Sequence, residues 1–264
     1  MTEEGFRQRH PLISIRNVSK VYESRTGPLH AVDRVTFDVT DGEFVSVVGP
    51  SGCGKSTLLM MIAGLFAATE GTLEIGGTRV TEPYTDIGIV FQQDLLMDWR
   101  DVMGNVLIQA ELRRLRSADY IDTAKDLLAS VGLAGFEDKY PFELSGGMRQ
   151  RVALCRALVH DPKVLLMDEP FGALDALTRE RMTYDLQRIW QASEKTVVFI
   201  THSIAEAVFL SNRIVVMSPR PGQIVEIIDV PIPRPRVIET QESAAYGRIV
   251  TRIHHLFRDM GVFT

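Results

Sequence analysis

The sequence predicts an α/β fold, and three observations carry that expectation. Ile87-Gly88-Ile89-Val90-Phe91, Val164-Leu165-Leu166-Met167, Thr196-Val197-Val198-Phe199-Ile200 and Ile214-Val215-Val216-Met217 are nearly continuous apolar runs. Strands covered on both faces of a mainly parallel sheet read this way. Helix-period segments separate these runs, the alternation that builds such a sheet. Finally, a glycine-rich turn over residues 49–57 joins a short apolar strand to a helical pattern.

The elements follow in order. Ile13-Ser14-Ile15-Arg16 and Val35-Thr36-Phe37-Asp38-Val39 alternate with period two, as half-buried strands do. Asp41-Gly42 signals the turn into Phe44-Val45-Ser46-Val47-Val48, and Thr72-Leu73-Glu74-Ile75-Gly76-Gly77 reads as a strand and turn. Residues 95–150 hold no strong strand and read as a helical insert. Ser117-Ala118-Asp119 offers a helix start, with apolar positions at Ile121, Ala124, Leu128 and Val131 and a stop at Gly132. The five prolines from Pro219 to Arg236 predict an extended segment, and residues 240–260 a terminal helix. The expected domains are 11–237, with a helical subdomain at about 95–150, and a helical tail at 238–264.

Composition narrows the class. A net charge of −5 over 264 residues argues against general nucleic-acid binding, which leaves a basic footprint. Cys53 and Cys155 form no CxxC pair, so neither a disulfide framework nor a zinc site is expected, which fits a reducing cytoplasm. No secretory signal is visible at the N-terminus. The longest apolar run, from Leu58 to Ala68, is too short to span a bilayer and follows the glycine-rich turn directly. A role at a membrane would need a partner's membrane part.

Gly49-Pro50-Ser51-Gly52-Cys53-Gly54-Lys55-Ser56-Thr57 matches the phosphate-binding loop pattern. Its glycines let backbone N–H groups curl around phosphate oxygens, Lys55 neutralises the outer phosphates, and the Ser56 hydroxyl ligates Mg²⁺. The helix that follows points its positive end at the same anion. Cys53, at a helix N-terminus near Lys55, meets conditions that depress a thiol pKa, so alkylation there is expected to block turnover. Asp168-Glu169 closes an apolar strand, where paired carboxylates are costly unless they serve a site. Asp168 is expected to hold Mg²⁺ through water, and Glu169 to act as general base on the attacking water. Ser145-Gly146-Gly147 precedes a helical stretch from Met148 to Val159, with Ser145 a good N-cap. Alone, that is an ordinary capped helix.

Leu144-Ser145-Gly146-Gly147, lying between this loop and this acidic strand, resembles the signature of the ATP-binding cassette (ABC) ATPases. The resemblance covers nearly the whole chain. It implies a mainly parallel core sheet, an N-terminal antiparallel β subdomain and a helical insert. It implies ATP and Mg²⁺, and a head-to-tail homodimer that sandwiches ATP between one subunit's loop and the other's Ser145, Gly146 and Gly147. Tyr22 matches the aromatic that stacks on adenine. Gln92 matches the glutamine that senses Mg²⁺ and the membrane partner, Asp175 the loop that crosses between subunits, and His202 the switch histidine at the γ-phosphate. His202 also reads as a residue that merely caps the helix starting near Ser203, where Ser203 and Glu206 have capping-box spacing. Met148, Gly172 and Ser203 depart from the commonest pattern, none of them removing a catalytic group.

Residues 91–100, 171–179 and 218–222 further resemble the ATPase subunits of nitrate, sulfonate, taurine and bicarbonate-type importers. That implies permease partners docking on the helical insert, and an extracytoplasmic solute-binding protein acting indirectly. It also implies a peripheral place at the cytoplasmic face of the membrane. Trp99 reads either as part of that docking surface or as a core aromatic of the insert. The alternative is a non-transport ABC ATPase. Residues 58–143 carry neither sustained heptads nor metal-ligand spacing, and the chain holds one cassette, which disfavours it.

Overall fold

A computed structural model describes residues 11–25 and 27–262. The chain folds as two compact units. One comprises the described residues up to Thr85 together with those from Glu194 onward; the other is Asp86–Ser193.

The first unit begins with β1 (Pro11–Tyr22), β2 (Leu29–Thr40), β3 (Phe44–Val48), α1 (Lys55–Ile62), β4 (Glu70–Ile75) and β5 (Thr78–Arg79). The second unit carries β6 (Ile87–Val90), α2 (Val102–Leu112), α3 (Ile121–Ser130), α4 (Gly146–Leu158), β7 (Val164–Asp168) and α5 (Ala176–Ser193). The chain then returns to the first unit with β8 (Thr196–Thr201), α6 (Ile204–Leu210), β9 (Arg213–Met217), β10 (Ile224–Asp229) and α7 (Ala244–Asp259).

In the first unit an antiparallel sheet runs β2-β1-β4-β5. Its strands alternate as read from the sequence: Ile13 and Ile15 are buried while Arg16 is exposed, and Val35, Phe37 and Val39 are buried. A second sheet places β3 between β8 and β9, both parallel to it, with β10 antiparallel against β9. Every residue of β3 and β8 is buried, which explains their nearly continuous apolar runs. Burying side chains such as Phe44 and Val47 stabilises by about 1.5–3 kcal/mol each. Arg213 of β9 forks onto the buried Glu43, with Nη2 2.8 Å from Oε2, and pins β9 to the turn before β3. Of the proline-rich segment, expected to be extended, only β10 is a strand; residues 218–222 form a turn closed by Ser218, and the chain bends again at 234–235.

In the second unit β6 and β7 pair in parallel. The helices gather around Val102, Val106, Ala124, Leu128, Val152 and Cys155. A short 3-10 turn, Ser117–Tyr120, precedes α3, so the helix starts four residues later than its Ser117 signal. Ala124 and Leu128 face the core, but Ile121, read as part of the same stripe, is exposed. Among the described residues no helix is long and apolar enough to cross a membrane.

Candidate functional site

One end of the β3 sheet collects the first unit's chemistry. Val48 pairs with Thr201 on β8 and with Val216 on β9. Gly49 and His202, each the next residue along its strand, therefore leave the sheet at the same edge. From there the phosphate loop runs into α1. Gly54 adopts φ 105°, and a β-carbon on it would stand 2.5 Å from the Ala31 carbonyl oxygen. Only glycine fits both demands. The helical ladder starts where Leu58 N–H donates to Gly54 O at 2.9 Å. Lys55, Ser56 and Thr57 form the first turn ahead of that bond, the end of a helix that carries its positive pole. Lys55, almost wholly buried, donates from Nζ to the Gly49 and Pro50 carbonyls at 2.9 and 3.0 Å, which aims its ammonium across the loop. Ser51, Gly52 and Ser56 are exposed, and Pro50 and Thr57 half-buried.

Cys53 corrects an expectation. Its side chain is 1% exposed and packs under the loop. Burial pushes the thiol up, outweighing Lys55, whose Nζ lies 4.0 Å from Sγ. The helix terminus and lysine were read correctly, but desolvation wins. The thiol is not activated.

Tyr22 ends β1 and reaches α1, its Oη 3.4 Å from Thr57 Oγ1. Phe66 meets its ring edge-on at 6.3 Å, and Lys20 Nζ lies 5.2 Å from its centroid. The ring is thus steadied on two sides. His202 is exposed between two anchored neighbours. Thr201 Oγ1 accepts from Ser203 N–H at 3.0 Å and donates to the buried Glu206 carboxylate at 2.5 Å. Ser203 caps α6 as its spacing predicts. Glu206 does not complete a capping box, because its carboxylate goes to Thr201.

The second unit holds the other candidates. Asp168 ends β7 half-buried, followed by Glu169 with a left-handed backbone, φ 46°. Such a conformation costs a non-glycine residue about 1–2 kcal/mol. Gly172 N–H donates back to Glu169 O at 3.0 Å. A β-carbon on Gly172 would lie 3.3 Å from Gln92 Nε2 and 3.8 Å from Glu169 Cβ, so Gln92 sits beside the Glu169 turn. Ser145 caps α4, accepting from Met148 N–H at 3.3 Å. Gly147 approaches Thr178 so closely that its β-carbon would be 2.6 Å from Thr178 Cγ2. Asp175 caps the same start of α5, accepting from Thr178 N–H at 3.1 Å, and the Thr178 bonds hold its carboxyl below the usual range. Ser145, Gly147 and Asp175 are thus brought together, with Ser145 and Gly146 exposed.

Ser56 in the first unit, and Gln92 and Asp168 in the second, each carry an oxygen of the hard kind that Mg²⁺ takes. Among the described residues no group of three His, Cys, Asp or Glu side chains could hold a metal by itself.

Sequence reasoning missed several supporting side chains. Gln150 Nε2 donates to Phe91 O at 3.1 Å, and Arg149 pairs with Asp94 at 2.9 Å, so α4 fixes the segment carrying Gln92. Glu206, read only as a capping-box partner of Ser203, and Arg220, read only within the importer-like stretch 218–222, both serve the first unit's end through contacts the sequence does not state. Trp99 is 76% exposed, which removes its reading as a core aromatic.

A glycine-shaped loop between a buried parallel strand and a helix, with acids ending a second buried strand, defines a phosphate-loop nucleotide-binding protein. The ABC transporter family model matches residues 32–172, and the chain belongs to that family. It is 47% identical over 251 residues to an aliphatic sulfonates import ATP-binding protein of Bacillus cereus, covering 95% of this chain and 97% of that one. A taurine import ATP-binding protein of Rhizobium johnstonii is 46% identical over 233 residues, 88% of each chain. An uncharacterized ABC transporter ATP-binding protein of Methanocaldococcus jannaschii is 46% identical over 241 residues, 91% of this chain and 90% of that one. Among solved structures, the dimeric ABC transporter cassette MJ0796 superposes with a TM-score of 0.73 at 32% identity, over 83% of this chain and 98% of that one. A second dimeric structure of that cassette, bound to ADP and phosphate, gives the same values. The resemblance read from the motifs is borne out, and with it the ABC ATPase class and fold.

Proposed function

We propose that this chain is the ATP-hydrolysing subunit of an importer for a small sulfonated anion of the taurine or alkanesulfonate type. The relatives named for those cargoes support that substrate class. The observation that carries the nucleotide reading is the Gly54 turn, which only glycine fits and which leads into the positive end of α1 beside the Lys55 ammonium.

The residue roles follow from the family resemblance together with the chemistry of each side chain. Tyr22 stacks on the base. Residues 49–57 cradle the phosphates, with Lys55 neutralising their outer charge. Ser56, Gln92 and Asp168 hold Mg²⁺, which when bound draws off charge developing on the phosphoryl oxygens. Glu169 accepts a proton from the attacking water. His202 contacts the γ-phosphate, its backbone fixed by Thr201 and Glu206. Ser145, Gly146, Gly147 and Asp175 face a second copy of the chain and complete that copy's site. Trp99 contributes to docking a membrane partner on the helical insert, at the cytoplasmic face. An external solute-binding protein delivers the cargo.

The test is Glu169→Gln. Removing a positioned base lowers turnover by about 10²–10⁴-fold. The variant should bind ATP, stay dimeric on size exclusion with Mg·ATP, and release little phosphate. Near-normal hydrolysis would remove Glu169 as base, and a strictly monomeric variant would remove the shared site. Sulfonate-dependent growth of a strain lacking the gene tests the cargo.

A further inference from the structure

The turn Ser218-Pro219-Arg220-Pro221-Gly222, between β9 and β10, is built against the phosphate loop. Arg220 donates both Nε and Nη2 to the Gly52 carbonyl oxygen, each at 3.0 Å. Gly222 passes so close that a β-carbon on it would stand 2.0 Å from Cys53 O. The turn is seated from the other side by β2. Gly222 N–H donates to Ala31 O, and Asp33 N–H donates to Gly222 O, both at 3.0 Å. Gln223 Nε2 reaches Asp33 Oδ2 at 2.6 Å, and its N–H reaches Ser218 Oγ at 3.0 Å. Arg220 therefore projects from a braced base.

We propose that Arg220 is a positioning residue for the phosphate loop, holding the Gly52 carbonyl outward so that the loop is shaped for polyphosphate before a nucleotide arrives. A trans peptide points its C=O and N–H in opposite directions. A carbonyl that swung into the cradle would put its negative end against phosphate. Two donors from one cation oppose that swing and hold Gly52 in its left-handed conformation, φ 73°. A loop that is already shaped loses less freedom on binding, so the gain falls on affinity. The inference rests on the reading that residues 49–57 bind nucleotide phosphates.

The experiment measures ATP binding with a fluorescent ATP analogue, steady-state ATPase kinetics and thermal midpoints for wild type, Arg220→Ala, Arg220→Lys and Lys55→Ala. Losing an exposed charge-assisted bond should weaken binding by about 5- to 20-fold in Arg220→Ala, with KM rising in step. The kcat at saturating ATP should stay within about twofold, because Arg220 touches the loop and not the reacting atoms. Arg220→Lys, with one donor able to reach the carbonyl, should recover part of the affinity. Amide exchange over residues 51–54 should quicken in nucleotide-free Arg220→Ala. Wild-type affinity in Arg220→Ala, alongside lost binding in Lys55→Ala, would overturn the positioning role alone. Wild-type affinity in Lys55→Ala would overturn the phosphate-loop reading itself. A fall in thermal midpoint that tracks the affinity loss, without rescue by lysine, would reduce Arg220 to a structural contact and overturn the proposal.

Discussion

Arg236→Met should cost this protein a large part of its stability. The guanidinium is 1% exposed and satisfies five carbonyl groups. Nη1 donates to Val208, Phe209 and Ser211 at 2.8, 2.9 and 2.9 Å. Nη2 reaches Val230 and Ile232 at 3.3 and 3.0 Å, and Nε reaches Ile232 at 3.1 Å. Three of these acceptors lie at the end of α6, where helix carbonyls lack ladder partners and a cation is welcome. Burial pulls the guanidinium down to about 10, so it stays charged at neutral pH. Methionine fills similar space but donates nothing. Each orphaned buried acceptor costs about 1 kcal/mol or more, and relief from burying a cation returns part of the sum. The net loss should be roughly 3–5 kcal/mol, or roughly 6–20 °C in thermal midpoint for a chain of this size. Urea unfolding followed by circular dichroism reads it directly. A loss below about 1 kcal/mol would refute the reasoning, because it would mean that water or repacking replaces the six bonds freely.

Three further outcomes are expected. Native protein should show almost no fast-reacting thiol to a maleimide or disulfide reagent, since Cys53 and Cys155 are both buried and burial raises both, Cys155 to about 12; denaturant should release both. Rapid native labelling at Cys53 would restore the activated-thiol reading. His160 is lowered by burial and then by Arg113, whose Nη2 lies 3.0 Å from Nε2. Its folded pKa sits below the unfolded value of about 6.5, so the unfolded chain takes protons first as pH falls, and stability drops below about pH 6.5. His160→Gln should flatten that limb of the thermal midpoint against pH, and an unchanged slope would exclude His160 as its source. Trp99→Ala should leave the thermal midpoint nearly unchanged, within about 0.5 kcal/mol, while reducing the yield of complex with membrane partners from detergent extracts. Full retention of that complex would count against Trp99 as a contact.

Features governed by local chemistry were legible in the sequence. The Phe44–Val48 run, the glycine turn after it and the Ser145 and Ser203 caps depend on neighbours within a few residues, and the chain states them openly. Contacts between distant segments were not legible. Arg220 and Gly52 lie 168 residues apart, and no periodicity joins them. The Cys53 thiol was misjudged for the same reason: its lysine is two residues away, but the packing that desolvates it includes the distant Met217. Glu206 has the spacing of a capping box, yet Thr201, fixed by pairing with Val48, claims its carboxylate. Ile121 fits the helical stripe of α3, but the 3-10 turn before it leaves it at the exposed start of the helix.

The place of β3 between β8 and β9 also shapes how the protein is made. Both partners are encoded far downstream; Gly42, just ahead of β3, donates its N–H to Thr196 Oγ1, 154 residues later. At ribosomal speeds of about 5–20 residues per second, the nascent Phe44–Val48 segment waits roughly 8–30 s before either flank emerges. During that interval a strand that is apolar at all but Ser46 has its edges open, which is the condition chaperones answer.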